Sequence, residues 1–539
     1  MTPQPDVVAP RWVPGTKPPE VRRLAALDLG SNSFHILVAD VLPDGFIQPV
    51  LREREMLHLG GVVAEHGRID GSHLASAVAT VRHFAELARR TGVDHLLPIA
   101  TAAIRDAENA DEVVAALSEA AGVPVRVVDG GVEAALAYRG VRAACVFHDE
   151  PVLCVDLGGG SLELAIGSRA DLLWRVSLPI GVSRLEAALV RKDPLSNKDR
   201  QRIRDAVDEA VLPILPQLQE HAWQEVALLG GTVRALARVM LADTSPAWQP
   251  MSVNMTLLPA VRFGQWAEKL AVMTAEERSA VRGMKSKRAE HVHIAALILA
   301  AVFDRVGIAD VRVSDWGLRE GAILEAVGMD TVPDRATLRR RAASRLRESF
   351  VPDDPHLEHV AHLAVRLFDD LRDIHGLDDR DRDLLANGAL LHDLGEAINL
   401  RGHHHHGAYL LEHSEIRGFS PNEVAMLCSL VRFHKSRGLS EDYPPFASLR
   451  SDRQDRVRRM VPILQLADGL DRARDQGVHD VTCSVTDDRV LIEVHRDELH
   501  VSLDELHRKT WLFERTFGVE VEVADVDGNG SVNGDGSDS

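Results

Sequence analysis

An internal repeat constrains the fold of this chain more than any other feature. Residues 24–39, LAALDLGSNSFHILVA, recur with substitutions within residues 151–166, PVLCVDLGGGSLELAI. Each copy has the pattern of an apolar strand, a turn of small residues and a second apolar strand. Asp28 of the first copy corresponds to Asp156 of the second. Two similar half-sites of this kind predict one phosphate site between them.

The turn in each copy has the composition of an anion-binding site. Glycines let main-chain N–H groups approach a phosphoryl oxygen closely, and Ser and Asn side chains add donors. An Asp at the end of a buried strand suits Mg²⁺, which prefers oxygen ligands. A single turn would be an ordinary hairpin, but two at corresponding positions indicate a function. The predicted phosphate-binding residues are Gly30, Ser31, Asn32, Ser33, Gly158, Gly159, Gly160 and Ser161, and the predicted Mg²⁺ ligands are Asp28 and Asp156.

Length and composition indicate a cytoplasmic globular protein. The 539 residues allow three or four domains. The longest apolar run, residues 294–303, is too short for a membrane helix, and the Pro-rich residues 1–20 lack the apolar core of a signal peptide. The four cysteines form no C-x-x-C pair, so we expect reduced thiols rather than zinc ligands. No membrane partner is expected.

The formal net charge of -19 restricts the partners further. It argues against non-specific nucleic-acid binding, and it also repels a polyanionic substrate. Such a substrate needs a locally basic path, for which the sequence offers Arg105, Arg234, Arg319 and residues 285–288. The alternative interpretation of the last run is a solvated helix face.

Pattern and composition divide the chain into six predicted segments. Strand-like runs alternate with amphipathic helices in the first part, which is typical of α/β domains. A charged connector then leads to a long stretch with the apolar spacing of helices. The predicted segments are a flexible tail (1–21), two α/β domains (22–145 and 146–330), an all-α domain (331–475), a small α+β module (476–523) and a disordered tail (524–539).

The amino-acid sequence of the two turns resembles that of the exopolyphosphatase and guanosine pentaphosphate phosphohydrolase family, within the superfamily of acetate kinase, sugar kinases, Hsp70 and actin. Residues 100–109, 230–237 and 314–321 are similar to further stretches of that family. The resemblance implies two duplicated actin-like, ribonuclease H-like domains that face a phosphate cleft, and a homodimer. These stretches add Arg105, Gly231, Thr232 and Arg234 to the predicted phosphate-binding residues.

The same resemblance implies a catalytic base. In the family this role belongs to a Glu in a segment similar to residues 129–138, which places it at Glu133. The match is imperfect, because Val132 stands where the family has Glu and Ala135 where it has Arg. The alternative interpretation of Glu133 is a helix N-terminal Glu that favours the helix dipole.

A second constellation lies in the predicted all-α domain, where the polar pair His392-Asp393 interrupts an apolar helical stretch. It resembles the HD phosphohydrolase superfamily, whose ligands are a His, the His-Asp pair, further histidines and a distant Asp. The resemblance implies a site for a transition metal such as Mn or Fe, where two metals would activate a hydroxide. The alternative is a structural module that extends a substrate channel. The matching residues are His356, His392, Asp393, His406, His434 and Asp468.

The leading hypothesis is a processive, Mg²⁺-dependent exopolyphosphatase that releases terminal orthophosphate from inorganic polyphosphate. Within the same chemistry, the alternative is hydrolysis of the 5′-γ-phosphate of guanosine pentaphosphate. Two further alternatives are a regulatory protein that binds polyphosphate or nucleotide and hydrolyses it slowly, and an enzyme whose working centre is the HD-type site.

Overall fold

The computed structural model describes residues 21–43, 45–147, 150–169, 171–245, 247–329, 334–352, 354–486, 488–496 and 503–526. Within these residues the chain forms two compact units, the α/β unit (21–244 and 253–335) and the helical unit (245–252 and 336–526). The two predicted tails lie outside the described residues, except residue 21 and residues 524–526.

The α/β unit begins with a five-stranded sheet. Its strands are β1 (Arg22–Leu29), β2 (Ser33–Val41), β3 (Ile47–Met56), β4 (His95–Ala100) and β5 (Arg126–Val127). Its helices are α1 (Leu59–His66), α2 (Gly71–Arg90), α3 (Ala102–Arg105), α4 (Ala110–Ala121) and α5 (Gly130–Ala144). The strand order is β3-β2-β1-β4-β5, with β1 antiparallel to β2 and parallel to β4. This central position explains the unbroken apolar run of β1, because both faces of a central strand are covered.

A six-stranded sheet follows. Its strands are β6 (Val152–Leu157), β7 (Leu162–Gly167), β8 (Leu172–Leu178), β9 (Glu225–Leu229), β10 (Leu257–Pro259) and β11 (Asp310–Val313). Its helices are α6 (Val182–Leu189), α7 (Asn197–Val211), α8 (Leu215–Gln219), α9 (Gly231–Thr244), α10 (Ala260–Ala271), α11 (Ala275–Ala280), α12 (Val292–Val306) and α13 (Leu318–Ala326). The strand order is β10-β11-β9-β6-β7-β8.

The two sheets share one arrangement around the repeat. In each, the first repeat strand pairs antiparallel with the strand after the turn and parallel with a later strand. Asp28 therefore lies opposite His35 across its hairpin, and Asp156 lies opposite Glu163. The predicted α/β fold of this region is confirmed.

Helix α5 packs against α13 at very close range. A Cβ atom added at Gly321 of α13 would lie 1.8 Å from the main-chain oxygen of Leu136 in α5. Only glycine permits this approach, because any larger residue would push the two helices apart. The first turn of α5 is capped by Asp129, whose side chain accepts a hydrogen bond from the N–H of Val132 at 2.8 Å. The cap and the close contact together hold α5 in place.

Apolar cores cover both sheets. The longest apolar run of the sequence belongs to α12, whose residues from Val292 to Leu299 are buried in the core of the second sheet. Across the described parts of the chain, no helix combines the length and apolar character needed to cross a membrane.

The helical unit contains mostly helices and one small sheet. Its helices are α14 (Arg335–Phe350), α15 (Pro355–Asp370), α16 (Arg372–His375), α17 (Asp379–Leu391), α18 (His403–Glu412), α19 (Pro421–Phe433), α20 (Pro444–Ala447), α21 (Ser451–Leu470) and α22 (Leu503–Phe517). Its strands are β12 (Val478–Thr486), β13 (Arg489–Arg496) and β14 (Glu520–Val526), in the order β12-β13-β14. β13 is antiparallel to β12 and parallel to β14, so α22 is the crossover between two parallel strands.

Candidate active site

The turns of the two repeats line one cavity of the α/β unit. The start of α9 and the segment that leads into α13 line the same cavity. Arg105 lies beside it, with Nη1 3.7 Å from Oε2 of Glu133. The predicted residues that the structure brings together around this cavity are Asp28, Gly30, Ser31, Asn32, Ser33, Glu133, Asp156, Gly158, Gly159, Gly160, Ser161, Gly231, Thr232 and Arg234.

Helix α6 ties the two turns together. The N–H of Val182 donates to the main-chain oxygen of Gly158 at 3.1 Å, and the N–H of Ser183 donates to that of Gly159 at 2.9 Å. The Ser183 hydroxyl donates to the side-chain oxygen of Asn32 in the first turn. The N–H groups at the start of a helix have no partner within it, so α6 uses them to hold the second turn.

Six carboxyl groups line the cavity, those of Asp28, Glu133, Asp156, Glu163, Asp315 and Glu320. Burial raises the pKa of Asp28 to about 6. Burial and the nearby charge of Asp28 raise the pKa of Asp156 to about 6, and burial with the charge of Asp156 raises that of Glu163 to about 7. Burial, followed by the charges of Glu163, Asp28 and Asp156, holds the pKa of Glu133 well above its usual range. Such a group of carboxylates is stabilised by a cation among them.

Glu133 has the environment of a general base. It lies on the first turn of α5, and its side chain is 14 % exposed. Its Oε2 atom is buried and has no hydrogen-bond donor among the described residues. The neighbouring Arg105 donates from Nη1 to the main-chain oxygen of Val128 at 2.9 Å. A carboxylate with a raised pKa and an oxygen that accepts no hydrogen bond is suited to accept a proton.

Three arginines also line the cavity: Arg234, Arg288 and Arg319. Arg234 lies near the start of α9, with Nε 3.9 Å from Oδ1 of Asp315. The charge of Arg319 lowers the pKa of Asp28 and so partly offsets the effect of burial. Guanidinium groups are the side chains best suited to phosphate oxygens.

Further cations lie next to these arginines. Burial, followed by the charges of Arg54 and Arg234, lowers the pKa of Arg288 to about 10. The charge of Arg238, followed by burial and further arginines, lowers the pKa of Lys285. Like charges at short range disfavour one another unless an anion joins them. We call Arg54, Arg234, Arg238, Lys285 and Arg288 the basic patch.

Two further cavity residues, His35 and Glu163, had not been predicted as site residues from the sequence. Nε2 of His35 lies 2.8 Å from the hydroxyl of Ser33, and Glu163 accepts a hydrogen bond from the hydroxyl of Ser177 at 2.7 Å. Each is the strand partner of the Asp in its own hairpin. Because the two strands of each hairpin pair residue by residue on either side of the turn, the position of the Asp identifies the residue opposite it.

The helical unit contains a second group of buried polar side chains around Asp393. Nε2 of His403 lies 3.0 Å from Asp393 Oδ1, and Nε2 of His434 lies 3.3 Å from it. On the other carboxylate oxygen, Oδ2, the distances are 3.5 Å to Nε2 of His392 and 3.8 Å to Nε2 of His356. Asp393 thus belongs to two groups of side chains, one with His356 and His392 and one with His403 and His434. Each group could hold a metal ion. We call His356, His392, Asp393, His403, His434 and Asp468 the helical cluster.

The resemblance implies His406 as a ligand, but the group of side chains around Asp393 that could hold a metal ion contains His403 in its place. His403 is the first residue of α18, and its Nε2 lies 3.2 Å from Nε2 of His434. His406 is half-buried on the next turn. Helix α18 begins after Gly402, which has a φ of 76°. The start of the helix decides which of four consecutive histidines turns inward, and the sequence pattern leaves that choice open.

In each imidazole of the helical cluster, Nδ1 contacts an oxygen atom outside the cluster, and this contact orients the ring. Nδ1 of His392, His403 and His434 lies 2.6, 2.8 and 2.8 Å, respectively, from the main-chain oxygen three residues earlier. Nδ1 of His356 lies 2.8 Å from Oδ2 of Asp471. The remaining nitrogen of each ring, Nε2, therefore faces the cluster. Metal-binding histidines typically show this arrangement, because the outer hydrogen bond fixes the tautomer.

The duplicated α/β fold and its cavity of carboxylates and arginines define an enzyme that hydrolyses phosphoanhydrides. The sequence model of the Ppx/GppA phosphatase family matches residues 37–329, and the model of that family's domain III matches residues 338–514. The chain belongs to the Ppx/GppA phosphatase family. Its activity is accordingly of the exopolyphosphatase or guanosine pentaphosphate phosphohydrolase type.

Solved structures are similar to more than half of the chain. An exopolyphosphatase from Cytophaga hutchinsonii is 27% identical, with a TM-score of 0.52, and the match covers 58% of this chain and 99% of that one. An exopolyphosphatase-like protein is 26% identical, with a TM-score of 0.51, over 57% of this chain and 98% of that one. A Ppx/GppA family member from Aquifex aeolicus is 27% identical, with a TM-score of 0.49, over 57% of this chain and 98% of that one.

Proposed function

We propose that the protein is an exopolyphosphatase that processively releases terminal orthophosphate from inorganic polyphosphate, with the reaction in the cavity between the two turns. The observation that carries this choice of substrate is the basic patch beside the turns. In a chain with a net charge of -19, concentrated positive charge there attracts a polyanion to one place. The similarity to a Cytophaga hutchinsonii protein described as an exopolyphosphatase supports the same substrate.

The cavity residues fit Mg²⁺. They offer carboxylate oxygens, and burial together with the charge of neighbouring carboxylates raises the pKa of Asp28, Glu133, Asp156 and Glu163 when no cation is among them. Asp28 and Asp156 are the proposed ligands, at equivalent positions of the two repeats. When bound, Mg²⁺ supplies charge neutralisation for the phosphoryl oxygens.

In the proposed reaction the protein binds and orients the terminal phosphoryl group through the turns, including Ser31 and Ser161. Glu133 accepts a proton from a water molecule as the water oxygen bonds to the terminal phosphorus. The bond from that phosphorus to the bridging oxygen breaks, and Arg234 and Arg288 neutralise the charge of the departing chain. The products are orthophosphate and a chain that is one phosphate shorter.

Substitution of Glu133 by Gln tests this proposal. An amide does not accept a proton from water at neutral pH, so kcat for orthophosphate release from long-chain polyphosphate in Mg²⁺ should fall by about 100-fold or more. The size and shape of the side chain are retained, so the fold should be unchanged. Release is followed with a colorimetric phosphate assay.

Glu112→Gln is the matched control, because Glu112 also lies in the first turn of a helix and its side chain is 60 % exposed. It should keep full activity. Full activity in Glu133→Gln would refute the assigned base. Release from guanosine pentaphosphate without release from polyphosphate would establish the alternative substrate, and slow turnover of both would favour a regulatory protein.

The helical cluster supports a second proposal, an HD-type transition-metal centre. Its imidazole nitrogens and carboxylates suit Mn or Fe better than Mg²⁺. Asp393 directs Oδ1 towards one pair of histidines and Oδ2 towards the other, which suits two ions. Nε2 of His356 and of His392 is buried without a hydrogen-bond partner in the described part of the unit, as expected of ligands. Bound metal would supply an activated hydroxide for phosphoester cleavage.

The partners and location remain proposals of the same kind. We propose a cytoplasmic homodimer that binds neither nucleic acid nor membrane. The net charge of -19 supports the absence of nucleic-acid binding, and the four free cysteines suit a reducing compartment. The homodimer follows from the family resemblance.

A further inference from the structure

Two cations contact carboxylates of the helical cluster. Nζ of Lys509, on α22, lies 3.1 Å from Oδ2 of Asp468. Nη2 of Arg474, which follows α21, lies 2.5 Å from Oδ2 of Asp393. The side chains of Lys509 and Arg474 are 24 % and 37 % exposed, whereas both carboxylates are buried. The two cations therefore lie where the cluster meets solvent.

The position of Arg474 is strongly determined. Its guanidinium also lies 2.5 Å from Oε1 of Glu396 and 3.5 Å from Oδ2 of Asp354. Its main chain has a φ of 59°, in the left-handed region that residues other than glycine rarely adopt. A residue stays in such a conformation only where its surroundings require it, and such residues concentrate at functional sites.

The contact with Lys509 leaves Oδ1 of Asp468 facing the histidines. Arg474, in contrast, contacts Oδ2 of Asp393, which also faces His392 and His356, so a metal ion between those two histidines would compete with Arg474 for that oxygen. Oδ1 of Asp468 lies 3.7 Å from Nε2 of His392, and Oδ1 of Asp393 lies 3.0 Å from Nε2 of His403. Metal ions on these inner oxygens would share the negative charge of each carboxylate. The attraction of Arg474 and Lys509 to the carboxylates would then weaken, and both would have positive charge to offer an anion.

We propose that Arg474 and Lys509 bind the phosphate group of a phosphate-ester ligand at the metal-loaded helical cluster; this rests on the metal centre proposed above. Arg474 offers a planar fork of donors that matches two phosphate oxygens, and Lys509 adds a compact charge. A metal ion binds phosphate oxygens as well, so the cations and the metal together neutralise a dianionic group. Arg474 and Lys509 are thereby assigned to the phosphate group of the phosphoester for which the metal centre is proposed.

The full-length protein loaded with Co²⁺ provides the test, with inorganic phosphate as the probe. The visible absorption of Co²⁺ reports its ligands, and His392→Ala supplies the background from Co²⁺ bound elsewhere. Phosphate should change the wild-type spectrum in a saturable way. Lys509→Gln and Arg474→Gln should each keep the Co²⁺ band and raise the Kd for phosphate by about tenfold or more, whereas Lys509→Arg should restore binding.

Arg456→Gln is the matched control, because Arg456 is 40 % exposed and pairs with Asp378 and Asp381 outside the cluster. It should leave both the band and the Kd unchanged. A wild-type Kd in the two Gln variants would overturn the proposal. If Arg474→Gln loses the Co²⁺ band, the phosphate Kd values of Lys509→Gln and Lys509→Arg decide whether the proposal holds. A wild-type spectrum identical to that of His392→Ala would instead refute the metal centre.

Discussion

At the residue scale, a glycine outside the predicted site holds the second turn in place. A Cβ atom at Gly181 would lie 2.3 Å from the main-chain carbon of Gly160 and from the main-chain nitrogen of Ser161. Neither atom can retreat without moving the turn. We expect Gly181→Ala to cost about 1–3 kcal/mol in binding of the phosphoryl group, which lowers kcat/KM for polyphosphate by about 5- to 150-fold. Steady-state phosphate release measures the effect.

Gly61→Ala is the control for this glycine. A Cβ atom at Gly61 meets nothing within 4 Å, and the residue lies inside α1, where alanine favours the helix. Its activity should equal that of the wild type. Equal kcat/KM values for Gly181→Ala and Gly61→Ala would show that the turn tolerates displacement.

At the element scale, the contact between α5 and α13 positions Glu133. Gly321→Ala would place a Cβ atom 1.8 Å from the oxygen of Leu136, and α5 must shift to relieve the clash. We expect a loss of about 1–3 kcal/mol in stability, seen as a lower Tm, together with a lower kcat because Glu133 moves with its helix. Thermal denaturation and phosphate release are measured on the same preparation.

Gly264→Ala provides the comparison, since Gly264 lies within α10 and its added Cβ atom meets nothing within 4 Å. That variant should keep its Tm and its kcat. A normal kcat in a destabilised Gly321→Ala protein would separate packing from catalysis and contradict the positioning role of this contact.

At the scale of the whole molecule, the two units have different ligand chemistry. The cavity of the α/β unit presents carboxylate oxygens, and the helical cluster presents imidazoles with two carboxylates. We expect the double variant His392→Ala, Asp393→Ala to lose tightly bound transition metal and to keep Mg²⁺-dependent phosphate release. Metal content by mass spectrometry and hydrolysis of polyphosphate test both halves of the prediction.

Circular dichroism of the double variant checks that the fold is intact. If phosphate release is lost in this variant and retained in Glu133→Gln, the helical unit carries the reaction. In that case the turns of the α/β unit would serve binding or regulation.

Much of the α/β unit follows from local sequence. The strand, turn and second strand of each repeat are contiguous, so alternation, small residues and the Asp at the strand end reveal them without knowledge of the rest of the fold. Asp28 pairs with His35, and Asp156 pairs with Glu163, within the same two hairpins. Both pairings therefore follow from the strand register of the hairpins. The catalytic role of Glu133 stays a prediction, although the structure places its side chain in the cavity.

Other features arise only when distant segments meet. Arg54 and Arg288 belong to segments far apart in sequence, and their mutual repulsion exists only in the folded unit. The choice of His403 over His406 depends on where α18 begins, which is settled by packing and by the conformation of Gly402.

The sequence by itself determined the two repeated turns, the family and the residue types of both candidate sites, because short contiguous motifs specify them. Tertiary structure decided the rest. It set which imidazole nitrogens converge on Asp393, how close α13 comes to α5, and how many charges surround one cavity. Such features depend on distances between segments that the chain order does not contain, and burial then converts those distances into large shifts in pKa and in binding energy.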